Sequence, residues 1–188
     1  MNPRREIARE RRRQIQVRKA FEQGLALAEQ VEGDLTDFYL ACAEYMVFSM
    51  DRLHEQDQYI HDSLKQRIPV EDADAHERLD VLQERQSKSR ELMETFRQSM
   101  EKLRRAGRGG IHAFEQRARD FVDRFTSLLA PRKNPFHKHT DQLFSEEDWI
   151  VIAGVTEHSL GREAALYVAV QRSAPAGIDP EKMTVEHR

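Results

Sequence analysis

Apolar positions recur at spacings of three and four through most of this chain, the period of one helical face. In residues 4–31 the stripe is Phe21, Leu25, Ala28 and Val31, and Gly33 and Asp34 interrupt it. From 35 onwards Phe38, Cys42, Tyr45, Ser49, Leu53, Gln56, Ile60 and Leu64 form a second stripe, which Pro69 ends. A third runs from 73 to 105 through Leu79, Leu82, Gln86, Ser89, Met93, Phe96, Met100 and Leu103, a heptad-like seam with two polar members at its middle. The glycines of "RRAGRGG" at 104–110 break the pattern. A helix over 110–130 then turns Phe114, Ala118, Phe121, Val122, Phe125, Leu128 and Leu129 inward, until Pro131 and Pro135 redirect the chain.

The next helix starts at Phe136, with His139, Thr140 and Leu143 on its stripe. Ser145 with Asp148 three positions later predicts a capping box, opening a short apolar helix through Trp149, Ile150 and Ile152 to Gly154. A last helix begins at Thr156 or Glu157 and passes through Tyr167 and Val170, and "SAPAGIDPEKMTVEHR" has no period. The prediction is all-α: an antiparallel four-helix bundle with flanking N- and C-terminal helices. It divides into a basic helical arm over 1–34, a bundle domain over 35–172 and a loose C-terminal tail over 173–188.

Composition supports helices. Charged residues make up 34% of 188, with only 8 glycines and 6 prolines to punctuate strands. No window approaches the ~18 consecutive apolar residues of a membrane span, and no signal-peptide pattern opens the chain. Cys42 stands alone, which excludes an intramolecular disulfide framework and fits a reducing compartment. A cytoplasmic protein is expected.

Charge divides the chain sharply. Residues 1–20 hold eight Lys/Arg against two Glu, a balance of +6, so with −3 overall the remainder carries −9. Such an arm suits an acidic partner or a phosphate backbone, although it lacks the aromatic residues used for base stacking. A solvated helical extension accounts for the same residues.

Histidines supply the candidate chemistry. Short connections make neighbouring helices antiparallel, which brings His54, His61, His76, His137 and His139 toward one end of the bundle. His76 and Asp80 repeat the spacing of His137 and Asp141, and Asp57 lies between His54 and His61. Residues four apart share a helical face, so these pairs aim a nitrogen and a carboxylate at one point. Imidazoles and carboxylates on inward faces of facing helices are ligands for iron or manganese. The same residues also read as ordinary helix chemistry: His54 lies about 120° from the centre of its stripe and on that reading faces solvent or a neighbouring helix. Gln56, Gln86 and Ser89 form either a hydrogen-bonded register layer or the wall of a small-ligand pocket.

The stretch "FVDRFTSLLAPRKNPFHKHTDQLFSEEDW" resembles the hemerythrin-like family, whose helix carries His-x3-Glu/Asp, an apolar pair and an acidic residue before Trp. Size and helix order over about 35–153 are also similar. The resemblance implies non-haem iron, one or two ions, and uptake of oxygen or a related diatomic such as nitric oxide. It assigns His137 and Asp141 to the final motif, His76 and Asp80 to another, and His54 or His61 to a single-helix ligand. Gln58, not a carboxylate, stands four after His54. No nucleophile–base arrangement, phosphate loop or dinucleotide turn is present, which points away from an enzyme without deciding it, and the expectation is a carrier, sensor or repair protein. The alternative is a metal-free helical interaction protein that uses its basic arm.

Overall fold

The computed structural model describes residues 2–28, 33–129 and 136–183, apart from the side chains of Leu129 and His137. Among the described residues there are seven α-helices and no strand. They are α1 (Pro3–Leu27), α2 (Thr36–Arg67), α3 (Ala73–Ala106), α4 (Ile111–Leu129), α5 (His137–Leu143), α6 (Glu146–Ala153) and α7 (Glu157–Ser173). Short 3-10 turns cover Gly107–Gly110 and Pro180–Lys182.

The ends follow local chemistry. Asn2 accepts from the Arg5 amide ahead of Pro3 at the first helical position, where proline's missing donor costs nothing. Asp72 accepts from the Ala75 amide to start α3. The capping box expected at Ser145 is present with both of its hydrogen bonds, and Thr156 with Ser159 makes a second one for α7. Gly154 closes α6 in the left-handed conformation, at φ 52°.

The main core collects side chains from α1, α2, α3, α4 and α7. Helix α2 is the hub, packing against α1, α3, α5, α6 and α7, while α4 packs against α3 and α1. The helix expected from Phe136 and the short apolar helix expected after Ser145 are both present, as α5 and α6, and together with Ile7, Leu64, Ile68, Ala75 and Leu79 they build a second, smaller apolar cluster through Phe144, Ile152 and Ala153. Phe144, with ψ 127°, breaks the run because the Ser145 cap must start from extended backbone.

Two segments expected outside the core lie in it. Val17, Ala20 and Phe21 of α1 are fully buried, since a narrow apolar stripe is enough to dock a helix whose other faces are charged. In the expected tail, Ile178 joins the main core and Pro180 is buried against α1 by the 3-10 turn, where Gln16 donates to the Glu181 carbonyl. Residues 184–188 of that tail lie outside the described residues.

Helices α1 and α2 pack closely at Gly24. A Cβ there would stand 2.6 Å from Cε1 of Phe38, a ring only 1% exposed, and the Tyr39 hydroxyl donates to the Gly24 carbonyl at 3.2 Å. Alanine is the better helix former by ~1 kcal/mol, but overpacking a rigid core costs about 1–3 kcal/mol. Gly24→Ala is therefore expected to destabilise by about 1–2 kcal/mol in urea unfolding. A more stable variant would show that Phe38 yields easily.

Candidate functional site

The polar residues cluster where α2 faces α3. Asp51 with Arg97 and Gln58 with Arg90 fix an antiparallel register between these helices. At its centre the His54 Nε2 and Ser89 Oγ lie 3.0 Å apart, and Arg90 donates to the His54 carbonyl. His54 is 8% exposed, not solvent-facing. The stripe through Phe38 and Tyr45 describes only one side of α2, and α3 covers the side that carries His54.

His61 lies two turns further along α2 and is 1% exposed. Its Nδ1 stands 3.0 Å from Asp62 Oδ1. Hydrogen bonds from His61 and then Gln58 hold the Asp62 carboxyl below the usual range, so it is ionised and can only accept. The Nδ1 therefore carries the proton, and in the neutral ring Nε2 presents a bare lone pair. That buried nitrogen has no hydrogen-bond partner. Both amide atoms of Gln86 on α3 are likewise buried without a partner, as is Nδ1 of His139 on α5, whose ring packs on Phe136 at 5.7 Å.

The remaining candidates are dispersed. His76 Nε2 stands 3.2 Å from the Pro69 carbonyl at the start of α3, and Asp80 is exposed. Asp57 takes the Arg11 guanidinium at 3.2 Å and Asp141 takes Arg4 at 3.3 Å. Two of the three expected carboxylates thus already have a cation, supplied by α1. The His137 side chain lies outside the described residues. Among the described residues, no three His, Cys, Asp or Glu side chains come together as metal ligands.

No family model, no curated protein and no solved structure matches this chain. The hemerythrin-like resemblance therefore rests on the residues quoted for it alone.

Other buried polar groups had no signal in the stripes. Glu163 of α7 accepts from the Tyr45 hydroxyl at 2.7 Å and from Arg13 at 2.6 Å. Burial, then the Glu163 charge, raises the Tyr45 hydroxyl far above its ordinary range, so it stays a donor. Glu10 accepts from Arg52 at 2.9 Å and Gln56 at 3.0 Å. Arg52 in turn donates to the Ala153 and Gly154 carbonyls, which neutralises the C-terminus of α6. These networks are fully paired and hold helices together. Among the described residues, buried side-chain atoms without a hydrogen-bond partner occur on α1 (Glu6), α2 (Thr36, His61), α3 (Gln86, Arg97), α5 (His139) and α6 (Trp149).

Burial, with help from the Arg90 charge, lowers the His54 pKa from 6.5, while Asp51 opposes. The unfolded chain then takes the proton more readily than the folded one. The ring's contribution to stability is complete above the unfolded value and is lost progressively as pH falls from there to the lower folded value. Asp57 has the opposite sign. Burial raises its pKa against Arg11 and Arg90, so its ionised form weakens the fold, and acidification through the folded value relieves this. A declining melting temperature is expected as pH falls below about 6.5, flattened in His54→Gln, which keeps a partner for Ser89 without titrating. An unchanged slope in that variant would assign the acid limb to another group.

Proposed function

We propose that this chain is an antiparallel four-helix bundle, built on α1 to α4, that holds non-haem iron at the α2 imidazoles. When bound, the iron supplies coordination of a small diatomic molecule, oxygen or nitric oxide, and the chain acts as a carrier or sensor. One observation carries the reading: the buried His61 Nε2 has no partner while its other nitrogen is held by the Asp62 carboxylate. Metal-binding histidines usually engage their second nitrogen with a carboxylate in this way, which fixes the tautomer and raises the basicity of the ligating nitrogen. A buried polar atom left without a partner calls for an ion, a water or a ligand.

The chain's own residues then have distinct tasks. His61 offers the donor atom and Asp62 orients it. His54, kept neutral by burial, offers a second imidazole once Ser89 turns its hydroxyl away. The apolar cluster around Leu64, Leu79 and Phe136 borders α2 and α3 beyond His61 and excludes water there.

A second reading is favoured by a separate observation. Arg11 on Asp57 and Arg4 on Asp141 occupy carboxylates that a metal site of the family pattern would draw upon. On that reading the chain is a metal-free helical interaction protein whose α1 cations are turned largely to its own acidic residues.

Metal analysis separates the two. Stoichiometric iron is expected in freshly purified protein or after anaerobic reconstitution, with affinity lost in His61→Ala and reduced about 10–100-fold in Asp62→Ala. His112→Ala, whose side chain is 95% exposed on α4, should keep full binding. Wild-type protein that takes no iron after reconstitution leaves the interaction reading in place.

A further inference from the structure

The cations of α1 are mostly engaged within the fold: Arg4, Arg11 and Arg13 reach other helices, and Arg9 and Arg18 pair along α1 itself. Positive charge remains free elsewhere, where α3 turns into α4. Residues 102–117 hold five Lys/Arg against one Glu, a balance of +4, so with −3 overall the rest of the chain carries −7. The 3-10 turn Gly107–Gly110 gathers these residues at the tip of the α3–α4 hairpin. Lys102 and Arg117, the outermost, lie within about 10 Å of the turn along their helices. Among the described residues, Lys102, Arg105, Arg108 and Arg117 are exposed with no carboxylate at ion-pairing distance, whereas Arg104 pairs with Glu44 at 3.2 Å and with Glu101. Asp34 senses the Arg108 charge without pairing with it, and accepts from the Thr36 amide at 2.9 Å.

Helix chemistry accounts for only part of this cluster. The α3 C-terminus favours the basic Arg104 and Arg105 of its last turn. Arg108 stands on the other side of the turn, just ahead of α4, where the dipole favours acidic residues, and the first turn of α4 has none. Gly109 is not demanded by the fold either. Its φ is not positive, and an added Cβ would meet nothing within 4 Å. A glycine there leaves the backbone open to close approach.

We propose that the tip of the α3–α4 hairpin is the surface by which this chain contacts the phosphate backbone of a nucleic-acid duplex, through Lys102, Arg105, Arg108 and Arg117. Arginine predominates, and its planar fork matches phosphate oxygens. Phe114, the one aromatic residue of 102–117, is 1% exposed, so nothing at the tip can stack on the bases of a single strand. None of the exposed large apolar residues lies in this stretch, which removes both the apolar centre of a protein interface and the anchor of a bilayer contact. Phosphate contacts carry no sequence information, so the binding is indifferent to sequence. The surface is separate from the α2 imidazoles and stands whether or not iron is bound.

The test follows fluorescence anisotropy of short labelled duplexes, DNA and RNA of one sequence, across a salt series. It compares the full wild-type chain with Arg105→Gln/Arg108→Gln and with Arg5→Gln/Arg12→Gln, which removes the same charge from exposed positions of α1. Calorimetry checks that both variants stay folded. Wild type is expected to bind duplex DNA with log K falling against log salt at a slope of about −3 to −4, as four phosphate contacts imply. Arg105→Gln/Arg108→Gln should flatten that slope by about two and weaken binding equally on a second sequence. The α1 variant should keep the wild-type slope. Equal losses in the two variants would assign binding to net charge and overturn the proposal, as would wild type that binds neither duplex. Binding to phosphatidylserine vesicles that depends on the tip, with no duplex bound, would overturn it in favour of an anionic lipid surface.

Discussion

Phe21 holds the long helices in register. Its ring meets Tyr39 of α2 at 5.7 Å, Phe96 of α3 at 5.9 Å and Phe114 of α4 at 6.2 Å, each edge-on. Such pairs contribute about 0.5–1.5 kcal/mol each beyond the area they bury. One side chain of α1 therefore touches all three of its long neighbours, and α1 cannot leave without opening the core. The cluster continues through Phe96, Phe121 and Phe125, which stack at 4.0 and 5.1 Å. Tyr39 joins it by its ring, while its hydroxyl reaches the Gly24 carbonyl and the buried Glu115 carboxylate. The close passage at Gly24 follows from this: the ring of Phe38 fills the space where another residue would carry a side chain.

With α1 docked by its aromatic stripe, its charges acquire partners that are mostly intramolecular. The +6 of the first twenty residues meets the −9 of the remainder. Arg4 reaches α5, Arg11 reaches α2 and Arg13 reaches α7. Exposed pairs of this kind contribute roughly 0–1 kcal/mol, so they do not hold α1 in place. Their effect is on register, because each fixes which turn of α1 faces which helix. Among the described residues, Arg13–Glu163 and Glu10–Arg52 join α1 to other helices largely withdrawn from water, and both are completed by further hydrogen bonds, from Tyr45 and from Gln56. A buried ion pair so completed costs little to keep and much to break.

Local signals were legible in the sequence and one-sided burial was legible too. The Ser145 cap needed only four residues to recognise it. Helix α3 packs with a single face, and its stripe from Leu79 to Leu103 is buried apart from the partly covered Leu82. Helix α2 was harder, because neighbours cover it on several sides, and a stripe accounts for one. Tyr39, Met46, Met50, His54 and His61 are all buried off the predicted line. Helix α1 misled for the opposite reason: dense charge on its other faces hid a stripe that is narrow but complete. Asp62 was invisible as a partner of His61, since adjacent helical residues do not ordinarily face one another. The convergence of histidines at one end was only coarsely legible. His61, His76 and α5 do lie where α2 gives way to α3, but side-chain direction, not axial level, decides whether nitrogens meet.

The polar layer gains its meaning from cost. An unsatisfied buried polar group destabilises by about 1–3 kcal/mol, in a class of molecules whose whole stability is about 5–15 kcal/mol. Elsewhere this chain satisfies its buried charges with care: Glu163 has two donors, Glu115 has the Tyr39 hydroxyl, and Arg52 has three acceptors. The exceptions among the described residues are spread over five helices: Glu6 on α1, Thr36 and His61 on α2, Gln86 and Arg97 on α3, His139 on α5 and Trp149 on α6. A register layer would pair such groups with one another, as His54 and Ser89 are paired. The proposed iron reading rests on the His61 nitrogen among these, because Asp62 already holds the other nitrogen of its ring.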